Sequence, residues 1–243
     1  MPIKNIEEIK NVSYPKIKVV KERMDKYIPG VTVPNIPNLN GFVYILSGSG
    51  GSGKSNLLFN MFQNKSMYRN NFDNIYYFCP ISSFESIKKH PFKKHDKIYH
   101  SLSSSELETI YQELVEIKKT SDDIQYNCII IDDFADALKD NDILMILNKM
   151  IIKARHLSCA FIITLQSYFY FPKQLRKQIT NITIFKPKSL SEWETIAKEL
   201  MNLNKEDGLK VFNYVFNEPY NHLDINTTNN TYYKNFNELK FLE

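Results

Sequence analysis

The sequence predicts an α/β fold with a mostly parallel central sheet flanked by helices, and three observations predict it. Short apolar runs of strand length recur at 42–46, 75–79, 128–131, 160–165 and 182–185. They lack the alternation of a sheet wetted on one face, so helices are expected to cover both faces. Between them lie stretches with helical character at 54–62, 105–119, 141–155 and 191–201, which sets up the β-α order of an α/β domain.

Taken in order, residues 1–40 hold Pro2, Pro15, Pro29, Pro34 and Pro37 without a sustained period and read as an N-terminal arm that wraps the core or a neighbour. Residues 41–204 form the core. Residues 205–243 are a C-terminal extension of the same domain, in which 222–226 and 231–234 flank a polar turn as a β-hairpin. Ser105 with Glu108, and Ser189 with Glu192, have the spacing of capping boxes at helix starts.

Composition sets bounds. With 243 residues, 43% of them hydrophobic, the chain can fill one core well. A net charge of +4 mildly favours a polyanionic partner. Cys79, Cys128 and Cys159 are odd in number and sit in or beside apolar runs, which argues against disulfides and a zinc site. No segment approaches the roughly 20 apolar residues that span a bilayer, and the first residues lack the apolar stretch of a signal peptide. A soluble, intracellular protein without membrane association is expected.

Five of the seven glycines fall between 41 and 53. Gly48-Ser49-Gly50-Gly51-Ser52-Gly53-Lys54-Ser55 matches G-x-x-x-x-G-K-[ST], between a predicted strand and a predicted helix that Asn56 continues. Glycines let successive backbone amides turn toward phosphate oxygens, Lys54 adds a charge at the β and γ phosphates, and Ser55 offers its hydroxyl to Mg²⁺. A nucleotide with Mg²⁺ is therefore the expected ligand.

The run Cys128-Ile-Ile-Ile-Asp132-Asp133 ends an apolar strand in two carboxylates, at the sheet edge where open α/β folds bind ligands. Asp132 is placed to hold Mg²⁺, and Asp133 to polarise the attacking water. Gln166 ends the next strand and can sense the γ-phosphate through its amide. Arginine occurs only four times, so Arg155, read as the end of a helix, stands out as a finger on the transferring phosphoryl group, with Arg176 in reserve. Either would act across a subunit boundary. The basic stretch 88–95 could track nucleic-acid phosphates or be a solvated loop, and Tyr168-Phe-Tyr-Phe171 could stack on a base or pack in the core.

Together the phosphate-loop motif, the Ile-Ile-Ile-Asp-Asp-Phe-Ala-Asp segment ending at Asp136, Arg155-His156 and the strand ending in Gln166 resemble the FtsK/HerA superfamily of P-loop NTPases. More narrowly, they resemble the genome-packaging ATPases of DNA viruses with double jelly-roll capsids. The resemblance implies a RecA/ASCE-like core and ATP hydrolysis coupled to translocation of double-stranded DNA. It also implies a homo-oligomeric ring, pentamer or hexamer, docked on a capsid vertex or portal protein, in the virion or in a viral factory of the host cytoplasm. Asp133 stands where many relatives carry Glu, one methylene shorter.

Rival readings are a non-packaging DNA helicase or segregation pump of the same superfamily, a small-molecule kinase and an assembly NTPase. Asn204-Lys-Glu-Asp207 matches the N-K-x-D of GTPases, but no D-x-x-G accompanies it.

Overall fold

The computed structural model describes residues 31–33, 35–39, 41–88 and 90–241. In chain order its strands are β1 (Val43–Ser47), β2 (Asn74–Phe78), β3 (Ile98–Tyr99), β4 (Asn127–Ile131), β5 (Cys159–Leu165), β6 (Asn181–Phe185), β7 (His222–Asn226), β8 (Thr231–Lys234) and β9 (Asn237–Leu239). Its α-helices are α1 (Lys54–Gln63), α2 (Ile81–Glu85), α3 (Ser104–Thr120), α4 (Asn141–Ile152), α5 (Leu190–Met201) and α6 (Lys205–Val215). One sheet runs in the order β3-β2-β4-β5-β1-β6-β7-β8-β9. It is parallel from β3 to β6 and antiparallel from β6 to β9.

The continuous apolarity of the inner strands is divided between the two faces. Val43, Ile45, Ile129, Ile131, Phe161 and Ile163 face the cluster formed with α3, α4, α5 and α6, while Tyr44, Leu46, Cys128, Ile130, Ala160 and Ile162 face the cluster formed with α1. Every residue of β1, β4, β5 and β6 is buried. No helix among the described residues is long and apolar enough to cross a membrane.

Most of the expected N-terminal arm lies outside the described residues. Its last part packs on the core: Val31, Ile36 and Leu39 are buried in the α1-side cluster, and Tyr68 Oη donates to the Pro37 carbonyl at 2.9 Å. The expected hairpin is β7 and β8, extended by β9.

Local signals shifted in three places. The capping box of α3 is Ser103 with Glu106, because Glu108 pairs instead with Lys149 of α4. Ser189 does cap α5, but Glu192 leaves the cap and accepts hydrogen bonds from Ser167 Oγ at 2.9 Å and Tyr168 N–H at 2.6 Å. Asn204 and Asp207 form the N-terminal cap of α6, which accounts for the GTPase-like match as helix chemistry.

The parallel and antiparallel parts are joined by a buried polar chain. Tyr44 Oη meets Thr183 Oγ1 at 2.8 Å, and Thr183 donates to Asp224 Oδ1 at 2.6 Å. Phe236 N–H donates to the other Asp224 oxygen at 3.1 Å, while His222 Nε2 lies 3.4 Å away without a hydrogen bond. Burial pushes the Asp224 carboxyl up to about 7 and the His222 imidazole down to about 4. A raised Asp loses native stability as pH climbs from its unfolded value of 3.8 to about 7, whereas a depressed His gains it between about 4 and 6.5. The two slopes oppose each other. Replacing Asp224 by Asn should remove the falling component, so the thermal midpoint of the variant relative to wild type should rise across that window, as measured by scanning calorimetry from pH 4 to 7.

Candidate active site

β1 runs into the glycine-rich turn, whose first amide is fixed by Gly48 N–H donating to the Leu165 carbonyl at 3.0 Å. Only glycine fits there, because a Cβ at position 48 would lie 2.7 Å from Phe185 Cβ and from Ser52 Oγ. Gly53, at φ 111°, opens α1 with no side-chain cap and no acidic residue in the first turn. The first amides of α1 are thus left without a side-chain acceptor, and with the helix dipole they form an anion site. Ser52 Oγ is buried without a hydrogen-bond partner inside the same turn. Those orphaned groups fit a phosphate.

Lys54 Nζ turns back onto the turn's own carbonyls, Gly48 and Ser49, the latter at 3.0 Å. Burial depresses its ammonium, while Asp132 and Asp133 hold it up. Ser55 and Asn56 occupy the exposed first turn of α1. Ser49, Gly50, Gly51 and Ser52 line a cleft of about 620 Å³, and a second cleft of about 230 Å³ lies between Gly48 and Gln166.

One strand, β5, stands between β1 and β4, so the carboxyl edge presents the phosphate loop, then Gln166, then the two acids. Asp132 is buried, 6% exposed, and both its oxygens are occupied: Thr164 Oγ1 donates to Oδ1 at 2.5 Å and Tyr77 Oη to Oδ2 at 2.9 Å. Burial raises its carboxyl above the usual range, and the two hydroxyl donors and Lys54 pull it back. Behind Tyr77 sits His90, whose Nδ1 accepts from Phe92 N–H at 3.3 Å. The proton is thereby assigned to Nε2, which meets Tyr77 Oη at 3.3 Å. Burial holds His90 down at about 4, so it is neutral at ordinary pH.

Asp133 takes a left-handed backbone, φ 63°, uncommon for a residue with a side chain. Its N–H donates to Thr164 Oγ1 at 3.1 Å. Its carboxylate is exposed at the edge and accepts from Gln166 Nε2 at 3.1 Å through Oδ1 and from Ser83 Oγ at 3.1 Å through Oδ2. The expected water-activating acid and the expected γ-phosphate sensor are therefore in direct contact. The oxygen donors of Ser55 and Asp132 are of the kind that suits Mg²⁺.

The two arginines part company. Arg155 lies beyond the end of α4, in the turn before β5, where a Cβ built on Gly41 comes within 2.7 Å of its amide nitrogen. It is at the amino edge of the sheet, roughly 20 Å of strand rise from the phosphate loop of its own chain. Arg176 is buried, stacked 4.3 Å from the Tyr168 ring centroid and paired with Glu199 at 3.1 Å. Tyr168 and Phe171 are fully buried core residues, and Phe169 and Tyr170 are exposed, Tyr170 on a small cleft shared with Asp133 and Gln166. Of the basic stretch, Lys88, Lys93 and Lys94 are exposed and residue 89 lies outside the described residues.

Sequence reasoning missed Thr164, Tyr77, His90 and Ser83. Thr164 was readable as a hydroxyl interrupting an apolar strand; nothing in the sequence marks Tyr77 or Ser83 as neighbours of the acids.

The family model for the Poxvirus A32 protein matches residues 38–237. The chain belongs to that family. No curated protein sequence matches it. The genome packaging NTPase B204 of Sulfolobus turreted icosahedral virus 2, in complex with AMPPCP, is similar in fold, with a TM-score of 0.56 at 17% identity, covering 84% of this A32-family chain and 100% of B204. EccC from Thermomonospora curvata, ATPases 2 and 3, gives a TM-score of 0.56 at 14% identity, covering 84% of this chain and 38% of that one. The shared fold is that of P-loop ATPases.

Substituting Phe for Tyr77 keeps the ring in place and removes one donor from a buried carboxylate. It should lower the unfolding free energy measured in denaturant by about 1.5–3 kcal/mol.

Proposed function

We propose that this chain is an ATP-driven double-stranded DNA translocase that packages a viral genome into a preformed capsid. The observation that carries the hydrolytic part is the contact of Asp133 with Gln166, at the edge of the sheet beside a glycine-rich turn whose helix start has no side-chain cap. Membership of the A32 family and the fold shared with a genome packaging NTPase support the packaging part.

ATP phosphates would lie in the turn 48–55, drawing Lys54 off the Gly48 and Ser49 carbonyls. Ser55 and Asp132 would hold Mg²⁺, whose charge neutralises the β and γ oxygens. Asp133 orients and deprotonates the attacking water, and its exposed carboxylate can do so by releasing one of its two donors, Ser83 or Gln166. Gln166, tied to Asp133, changes partner when the γ-phosphate leaves. That exchange is the local event from which movement of the DNA-contacting surface would follow.

The finger is Arg155 of a neighbouring subunit. Its own chain's phosphates are out of reach, and Arg176 is committed to Glu199, Tyr168 and the Phe171 carbonyl. This reading requires a ring, with double-stranded DNA in its pore and a capsid vertex or portal protein as its dock, in the virion or a cytoplasmic viral factory.

Lys54→Ala should abolish ATP hydrolysis. Arg155→Ala should retain nucleotide binding and lose at least about a thousandfold in turnover. Mixing Arg155→Ala with Asp133→Ala subunits should restore activity, because one interface in the mixed ring joins an intact acid to an intact finger. Steady-state phosphate release reads all three, and a mixture no more active than its parts would remove the trans assignment.

A further inference from the structure

The larger cleft extends away from the acid pair, from the phosphate loop to the loop between α6 and β7, and none of the expected site residues beyond the loop itself accounts for its far wall. That wall carries Tyr220. Its side chain is 71% exposed although aromatic, and its backbone is held at φ 65°, a conformation that side chains of this shape rarely adopt. The ring lies beside Gly53: a Cβ built on that glycine is 3.7 Å from Tyr220 Cδ1 and 3.1 Å from Phe185 Cε1. Two aromatic rings thus flank the residue that opens α1, and the cleft that both help to line has a volume of about 620 Å³, within the usual range for small-ligand sites.

We propose that Tyr220 is a stacking shelf for the nucleobase, with Phe185 closing the inner side, and that the shelf takes purines with little discrimination between adenine and guanine. The proposal rests on the nucleotide reading above and adds how the base is held. Two clefts adjoin the turn, and the second, between the turn and Gln166, is smaller, at about 230 Å³, so the base has more room in this one. Stacking suits an exposed aromatic face.

The weak discrimination follows from the polar groups around the shelf. The Asn217 side-chain oxygen already accepts from Asn221 Nδ2 at 2.9 Å and from Lys234 Nζ at 2.8 Å, and the Asn221 oxygen accepts from Asn235 Nδ2 at 2.7 Å. Groups spent on one another do not read base edges. Lys186, Lys188 and Glu218 also line the cleft, but as long, exposed side chains; the fixed feature is a face for stacking, which every base has and purines offer in larger area.

The test is isothermal titration of the full chain, with Mg²⁺, against ATP, GTP, CTP and inorganic tripolyphosphate. Wild type should bind ATP and GTP within about fivefold of each other, and both at least about tenfold more tightly than tripolyphosphate, with CTP between. Tyr220→Asn tolerates the left-handed backbone and removes the ring. It should bring ATP down toward tripolyphosphate, and Tyr220→Phe should keep the wild-type ratio. An ATP to tripolyphosphate ratio unchanged in Tyr220→Asn would overturn the shelf while leaving nucleotide binding intact. A hundredfold preference for ATP over GTP would overturn the stacking-only recognition. Wild type that takes up neither ATP nor tripolyphosphate would overturn the nucleotide reading itself, and the shelf with it.

Discussion

The Asp132 carboxylate pins three strands at the point where chemistry is placed. It follows β4, accepts from Thr164 on β5 and Tyr77 on β2, and is buried almost completely. A buried carboxylate without such donors would be costly, so the strands cannot slide past one another without breaking charge-assisted bonds. Thr164 also receives the N–H of Asp133, which fixes the strained backbone that turns the second carboxylate outward. One acid is thereby held inside the sheet, and its neighbour, one residue on, is left exposed at the edge.

The order of strands does the rest. With β5 between the strand of the glycine-rich turn and the strand of the acids, Gln166 falls naturally between that turn and Asp133. The contact ties Gln166 and Asp133 into a single unit. A change at one is felt at the other without any long path, and the β2–β3 segment touches Asp133 through Ser83 and lies behind Asp132 through His90 and Tyr77.

Much of this was legible in the residues. Five continuous apolar runs announced a parallel sheet, since only a sheet covered on both faces can bury both halves of each strand. The phosphate turn and the Asp132-Asp133 pair were legible because their chemistry is local: consecutive residues do the work. What could not be read is what depends on pairing across the sheet. β3 has two residues and carries no pattern of its own, Tyr77 meets Asp132 across 55 positions, and Glu192 left an expected capping box for partners 25 and 24 positions away. Arg155 shows the reverse, a residue whose type was suggestive but whose place, at the amino edge beside Gly41, only the strand pairing reveals.

The most direct measurement is the steady-state ATPase rate per subunit against protein concentration, with and without linear double-stranded DNA, at two salt concentrations. A ring motor with sites shared between subunits should turn over faster per subunit as concentration rises and as DNA is added, with the DNA-dependent part falling as salt screens phosphate contacts. A rate per subunit indifferent to both concentration and DNA would contradict a packaging motor and leave a self-contained NTPase.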